Sequence, residues 1–416
     1  MAKSLEKVIT QLKKPFRSAK KRAIKKLYAL IEPSYKKYFS MKSGSGSEAC
    51  LIDSAHILAA FPELQELERR LNYFLLHASF GDKWFILSLL PAHFENYPTS
   101  RVIAGTKDRE LVELFVGETC LRERFVFIDE AALNRLSSKF RPISPVSSQI
   151  IDSWSAPGCF HAITPYLLKN GFPPGTIRHL HLCYYPYFNE LFNIHAVGYM
   201  TLVKTILYLP FSAKPRLPTF YRKEDHEELV RITESSSVPS KTKKLPFILF
   251  NAVNISHRPL AVSQISLVSA LFESAGYRVI INSAQSTNRA EFLALTWSRE
   301  NLSVVDIPPR ILALVCNAAY AVIGVLGGAM SIAAHFSGTH ILSLQSTSLG
   351  TGVEDDDLLA DKGKGNLWLW ADQDWPCLRP GRVMANEYIG DPKSLSDESL
   401  RKLIDSFLVK IRFSAS

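Results

Sequence analysis

Residues 321–338 read AVIGVLGGAMSIAAHFSG, and this stretch decides the fold class. An apolar run ends in a Gly-Gly pair, and a segment of small residues with helical spacing follows. This order is typical of a buried strand that turns tightly into a helix packed on its sheet. The amides of Gly327 and Gly328 then lie at a helix start, where a phosphate group is favoured. The alternative is that the small residues serve only close helix–sheet packing.

The same alternation of strand, turn and helix extends in both directions. Around this stretch the pattern predicts strands at 247–251, 277–282, 303–306, 320–323 and 340–344, with helices at 260–274, 289–299, 309–319 and 327–336. Earlier in the chain it predicts strands at 73–78, 101–105, 124–129 and 178–183, with helices at 83–95 and 108–115. Such alternation indicates parallel, doubly wound sheets. The expected fold is α/β, with two Rossmann-like domains that face a central cleft.

The chain has 416 residues, which favours two domains. A polar, proline-bearing stretch at residues 214–244 separates the two alternating series, so a boundary is predicted there. The predicted units are an arm and linker at 1–47, a first Rossmann-like domain at 48–235 and a second at 236–416. A Gly/Ser-rich joint at residues 41–47 ends the arm.

The arm accounts for the whole net charge of +10. Residues 1–42 hold 13 Lys/Arg and two Asp/Glu, whereas the rest of the chain is nearly neutral. Apolar residues recur among these charges at helical spacing, which predicts a basic amphipathic helix suited to an anionic bilayer surface. A non-specific basic tail and a nucleic-acid-binding arm are the alternatives. No RNA-binding motif accompanies the arm, so no nucleic-acid partner is expected.

Other features exclude several protein classes. No apolar run is long enough for a membrane span, and the start has no secretory signal, so we expect a cytoplasmic protein, peripheral at the inner face of the cell membrane. The six cysteines are scattered, which favours reduced thiols. No metal-binding motif is convincing, and neither a metal nor another cofactor is expected to be required.

A second glycine turn follows the first predicted strand. Gly81 permits a tight turn, and Asp82 would lie at the start of the next helix, at the mouth of the cleft. Asp82 is then either a helix N-cap or a general base for an acceptor hydroxyl.

A polar loop follows the first strand of the second series. Arg258 and His257 could neutralise a diphosphate there, and Asn254 or Ser256 could donate hydrogen bonds to it. Asn282 ends the next strand on the same rim and is a candidate contact for a nucleoside. The alternative is a solvated loop with a serine N-cap.

These motifs, in this order, resemble those of the ADP-heptose:lipopolysaccharide heptosyltransferase-type family of GT-B glycosyltransferases. The resemblance rests on Gly81-Asp82 with the later Tyr97-Pro98 break, and on residues 326–334, which match the family's D-[ST]-G-x-x-H-L-A-A turn. It implies a GT-B enzyme that moves a sugar from a nucleotide donor to a lipid-linked or surface-polysaccharide acceptor. The first domain would then face the acceptor, and the second would bind the nucleotide sugar.

The resemblance also implies site roles. Asp82 would be the catalytic base, with Gly81 and Lys83 on the acceptor side. The donor side would comprise Asn254, Ser256, His257, Arg258, Asn282, Gly327, Gly328, Met330 and Ser331.

Two positions depart from the family motif. Leu326 and Ser331 stand where the family has Asp and His. These departures favour either a different nucleotide sugar or a catalytically degenerate GT-B partner protein. A pyruvyl-type transferase on a GT-B-like scaffold is a third hypothesis.

Overall fold

The computed structural model describes residues 62–78, 80–129, 163, 167–180, 198–234, 245–251, 260–284, 289–297, 299–325, 327–346, 381–389 and 395–413. The predicted arm and the boundary predicted at residue 235/236 lie outside these ranges. Within them, no helix has the length and apolar character needed to span a bilayer.

The first sheet contains four parallel strands in the order β3-β2-β1-β4. Its strands are β1 (Tyr73–Leu76), β2 (Arg101–Gly105), β3 (Phe125–Ile128) and β4 (Ile177–His179). The order reverses between β1 and β4, because β2 lies on one side of β1 and β4 on the other. Ligands of parallel sheets bind at such a switch point, beside the carboxyl ends of the strands.

The second sheet contains six parallel strands in the order β10-β9-β8-β5-β6-β7. Its strands are β5 (Phe247–Asn251), β6 (Arg278–Asn282), β7 (Leu302–Val305), β8 (Ala321–Val325), β9 (His340–Ser346) and β10 (Met384–Ile389). Counted within this sheet, the order is the 3-2-1-4-5-6 of a Rossmann domain, with the switch point between β5 and β8. Two parallel Rossmann-like sheets confirm the predicted fold class.

The connections between the strands are largely helical. The helices described are α1 (Phe80–Asn96), α2 (Arg109–Arg124), α3 (Tyr199–Ile206), α4 (Lys223–Glu234), α5 (Val262–Ser274), α6 (Arg289–Thr296), α7 (Leu312–Ala318), α8 (Gly328–Phe336) and α9 (Asp397–Phe413). Within the described ranges, 3₁₀ turns occupy Pro62–Glu66, Thr106–Asp108, Pro174–Thr176 and Pro309–Ile311. We use "N-terminal half" for described residues 62–222 and "C-terminal half" for described residues 245–413, with α4 as the connecting helix.

The structure and the predicted elements differ at three places. The turn predicted at residues 79–82 is mostly helix, since α1 begins at Phe80 and the Phe80 ring packs edge-on against Trp84 one turn later. The helical geometry of α2 breaks at Gly117 (φ 72°), close to the predicted end at residue 115, and a second helical segment that was not predicted then reaches Arg124. The polar stretch predicted to hold the domain boundary contains α4, in which Asp225 accepts the backbone N–H of Arg222 at the start of the helix.

The sequence patterns did not predict β10 and α9. Helix α9 packs on α5 and buries Leu400, Ile404 and Phe407 in the core of the second sheet. Strand β10 pairs with β9 and completes the sheet edge.

Helix α1 is buried on nearly all sides. Residues 84–90 have exposed fractions of zero, because α1 packs against α2, α3 and α8 as well as its own sheet. A helix surrounded in this way is apolar all round rather than amphipathic, which explains the weak helical periodicity of its sequence.

His93 fixes the end of α1 to the segment after α3. Its Nδ1 donates to the Leu207 carbonyl oxygen at 2.8 Å, and its ring stacks on Tyr97. Burial lowers the pKa of His93 to about 4, although the bond to the Leu207 carbonyl opposes that shift. The imidazole is therefore neutral in the folded protein at pH values where it is partly charged in the unfolded chain.

We expect this histidine to make stability pH-dependent. Between the ordinary histidine pKa of 6.5 and the folded value of about 4, the unfolded state binds more protons. Stability therefore decreases as the pH is lowered through that window, by an amount on the order of 3 kcal/mol. Urea unfolding at pH 7, 6, 5 and 4 measures the slope. His93→Asn keeps a nitrogen donor for the Leu207 carbonyl and should flatten the slope.

The exposed His226 on α4 provides the control. His226→Asn should leave the slope as it is in the wild type. Equal slopes for His93→Asn and the wild type would contradict the assignment.

Candidate functional site

The starts of α1 and α8 meet at a pair of glycines. Helix α1 follows β1 and helix α8 follows β8, so each begins at the switch point of its sheet. A Cβ built on Gly81 would lie 2.8 Å from the Gly328 Cα, and one built on Gly328 would lie 3.0 Å from the Gly81 nitrogen. The two backbones touch, so a side chain at either position would displace the other helix. Both helices direct their N-terminal ends, which carry partial positive charge, towards this point.

Asp82 is the third residue of α1 and is buried, with 2% of its surface exposed. It lies inside the first helical turn and is not the N-cap, so the N-cap alternative was wrong. A carboxylate in this turn is stabilised by the helix dipole. Its position beside the glycine contact is compatible with the predicted role as a general base, which stays a prediction.

Lys83 pairs with a residue that sequence reasoning missed. Its Nζ lies 2.7 Å from Asp108 Oδ1, and both side chains are buried. Asp108 follows β2 as Asp82 follows β1, so both carboxylates lie at the carboxyl edge of the same sheet. The positions of Asp82 and Asp108 after successive strands could have indicated that both lie at one sheet edge. The ion pair between Lys83 and Asp108 could not be predicted, because it depends on the tertiary fold. The predicted acceptor-side role of Lys83 therefore concerns an ammonium group that already has a carboxylate partner.

Met330 and Ser331 lie on the buried side of α8. The Met330 sulfur is 3.8 Å from Asn251 Nδ2. The Ser331 backbone N–H donates to Gly327 at 2.9 Å, and its carbonyl accepts from His335 Nδ1 at 2.6 Å. Only 6% of Ser331 is exposed. These contacts fix the first turn of the helix, and their predicted roles towards a donor stay predictions.

Asn282 belongs to a buried chain of amide hydrogen bonds. Its Nδ2 donates to Asn251 Oδ1 at 3.0 Å, and its Oδ1 accepts the N–H groups of Ala284 and Ile307, both at 3.2 Å. The side chain thereby joins the ends of β5, β6 and β7. Asn251, which was not predicted as a site residue, continues the chain to Met330. The Asn282 side-chain amide holds the loops at the ends of these strands, which makes Asn282 a positioning residue. Its predicted contact with a nucleoside is untested.

The remaining donor-side predictions fall on residues 252–259. Asn254, Ser256, His257 and Arg258 lie outside the described part of the chain, as does Leu326. They stay predictions.

Two histidines meet at the switch point of the first sheet. His77 Nε2 and His179 Nδ1 are 2.8 Å apart, and both rings are buried. His181, two residues after His179 in the sequence, lies outside the described ranges. Among the described residues, no three His, Cys, Asp or Glu side chains are grouped as a metal site would need.

The fold was compared with known proteins. No protein-family profile matches the chain, and no curated protein matches it in sequence. The glycosyl transferase family 9 structure from Veillonella parvula has a TM-score of 0.51 and 11% identity, over 83% of this chain and 99% of that one. The E. coli ADP-heptose LPS heptosyltransferase II has a TM-score of 0.48 and 12% identity, over 82% and 99%. The first likeness establishes the fold, which is the two-domain GT-B arrangement.

The glycine contact leads to a prediction. Gly→Ala in a helix ordinarily stabilises slightly, because it restricts the unfolded chain. Gly81→Ala should instead destabilise the protein by about 1–3 kcal/mol, since its Cβ would overlap the Gly328 backbone. Gly328→Ala should destabilise the protein less than Gly81→Ala, because its Cβ would lie slightly farther from the backbone of the other helix. Urea unfolding measures both effects.

Gly175 serves as the matched control, because a Cβ there would meet no atom within 4 Å. Gly175→Ala should change stability by less than about 0.5 kcal/mol. A Gly81→Ala protein as stable as this control would show that the two helix starts do not touch in solution.

Proposed function

We propose that the chain is a glycosyltransferase that moves a sugar from a nucleotide-activated donor to a lipid-linked or surface-polysaccharide acceptor. The observation that carries the proposal is the meeting of two helix N-termini at the switch points of two Rossmann-like sheets, with Asp82 beside the contact. Support also comes from the shared fold with a structure described as a glycosyl transferase. Helix N-termini favour the negative charge of a diphosphate.

The reaction would be displacement at the anomeric carbon of the donor. The Asp82 carboxylate takes the proton of the acceptor hydroxyl, whose oxygen forms the new bond to that carbon. The bond from the carbon to the diphosphate oxygen breaks, and the nucleoside diphosphate leaves with the electron pair. Charge develops on the leaving oxygen, where the α8 N-terminus and the side chains of His257 and Arg258 would stabilise it.

Residues around the reacting groups would hold the cleft edges in place. The Asn251–Asn282 amide chain fixes the donor-side loops, and the Lys83–Asp108 pair joins the starts of α1 and α2. The proposed donor is a nucleotide sugar of unspecified base, because Leu326 and Ser331 depart from the ADP-heptose motif.

Ligand binding and an Asp82 variant test the proposal together. The protein is heated with ADP, UDP, GDP, CMP, dTDP or phosphoenolpyruvate, and we expect one nucleotide to raise the melting temperature. A ligand at 100 times its dissociation constant stabilises by about 2.7 kcal/mol. With the matching nucleotide sugar, Asp82→Asn should lower transfer about 100-fold or more and leave the nucleotide shift intact.

Asp397→Asn is the matched control, since Asp397 is also an acid in the first turn of a 17-residue helix, far from the glycine contact. It should leave transfer unchanged. Stabilisation by phosphoenolpyruvate alone would replace the proposal with pyruvyl transfer. If no ligand stabilises the protein, a non-catalytic partner with this fold is favoured, and glycosyl transfer is rejected.

We further propose that residues 1–42 hold the protein on an anionic membrane surface, where a lipid-linked acceptor would be available. The support is the concentration of 13 Lys/Arg in that segment with apolar residues between them. Each basic residue near such a surface contributes about 1 kcal/mol.

Vesicle co-sedimentation of the full chain tests the arm. We expect binding to phosphatidylserine-containing vesicles and little binding to phosphatidylcholine vesicles. Because charge attraction is screened, binding should weaken strongly in about 1 M salt. Replacing Lys13, Lys14, Lys20 and Lys21 with Gln should weaken binding, whereas the same change at Lys402 and Lys410 on α9 should not. Equal binding of both arm and control variants would contradict a role for the arm.

A further inference from the structure

The two halves share one hydrophobic core. The Phe336 ring on α8 packs against Trp84 on α1 and Phe115 on α2, with ring centroids 5.1 and 5.9 Å apart. The Phe85 ring lies edge-on to His335 at 4.7 Å. All of these side chains are buried, and apart from His335 they belong to one continuous apolar cluster that also includes Met330. Interfaces between mobile domains are usually more polar than this.

A buried arginine lies at another point of the same interface. Arg310 is in the 3₁₀ turn after β7, in the C-terminal half, and 7% of its side chain is exposed. Its Nε donates to Asp225 at 2.9 and 2.8 Å to the two carboxylate oxygens. Its Nη1 donates to the Glu110 carbonyl at 2.7 Å, and its Nη2 donates to the Phe220 carbonyl at 2.8 Å.

The partners of Arg310 come from three different segments. Glu110 is on α2 of the N-terminal half, Phe220 is in the chain that leaves that half, and Asp225 is on the connecting helix α4. The Phe220 N–H in turn donates to the Leu114 carbonyl on α2 at 3.1 Å. One guanidinium group therefore ties the C-terminal half to the N-terminal half and to the connection between them.

Because Arg310 is buried, its contacts favour one orientation of the two halves over others. A buried ion pair is favourable only when its geometry is good and its remaining donors are satisfied. In the observed orientation of the halves, each of the three guanidinium nitrogens of Arg310 donates a hydrogen bond. If the halves rotated apart, the arginine would lose backbone carbonyl partners on α2 and in the connection, and Asp225 would lose its charge partner.

We propose that Arg310 couples the two halves into one cooperative unit. The shared aromatic core supplies non-directional attraction, whereas the guanidinium supplies the directional contacts that select a single orientation. The glycine contact at Gly81 and Gly328 is thereby held closed by residues distant from it in sequence. This inference concerns the interface and does not depend on the reaction proposed above.

Pulse-labelling hydrogen exchange across a urea titration of the full chain tests the coupling. Peptides from β1 and β2 report on the N-terminal half, and peptides from β5, β6 and β8 on the C-terminal half. In the wild type we expect both sets to lose protection at one urea concentration. In Arg310→Met we expect the two sets to lose protection at separate concentrations. In Arg310→Lys, the separation between the two urea concentrations should lie between that of the wild type and that of Arg310→Met, since lysine keeps the charge but has fewer donors.

Arg299→Met is the matched control. Arg299 pairs with Glu273 within the C-terminal half, and about 16% of its side chain is exposed. Its loss should lower the urea midpoint while both peptide sets still unfold together. Separate midpoints in the wild type would overturn the proposal. So would coincident unfolding of the two halves in both Arg310 variants, whatever the midpoint.

Discussion

The close approach of Gly81 and Gly328 is the constraint on which the site depends. Two helices can bring their N-termini to backbone contact only where neither carries a Cβ, and both glycines lie at the start of the helix that follows a central strand. The contact brings the switch points of both sheets together. It also concentrates the partial positive charge of two helix ends at one place, beside the Asp82 carboxylate. The fold thereby creates an environment suited to anionic ligands.

Buried polar contacts hold the surroundings of this point. Asn282 uses both atoms of its amide to connect three strand ends, and Lys83 joins the starts of two helices through Asp108. Buried polar groups are costly unless they are paired, so each contact favours one arrangement of its loops. These contacts thus hold the loops and helix starts around the glycine contact in place.

The interface between the halves has the character of a domain core. Aromatic rings from α1, α2 and α8 pack together, and Arg310 adds hydrogen bonds whose directions fix the angle between the sheets. An interface of this kind opposes movement of one half against the other more than a polar interface would.

The sequence by itself determined the α/β class, the parallel alternation of both sheets and the glycines at two helix starts, because period, strand length and glycine placement are local properties. It did not reveal Asp108, Asn251 or Arg310 as important residues. Each acts through a partner in a distant segment, and neither composition nor spacing encodes that pairing. The same holds for the start of α1 at Phe80, which lies inside the predicted turn because Phe80 and Gly81 pack against Trp84 and Gly328. Tertiary structure alone decided which buried polar groups meet, since only the folded chain brings them within hydrogen-bonding distance.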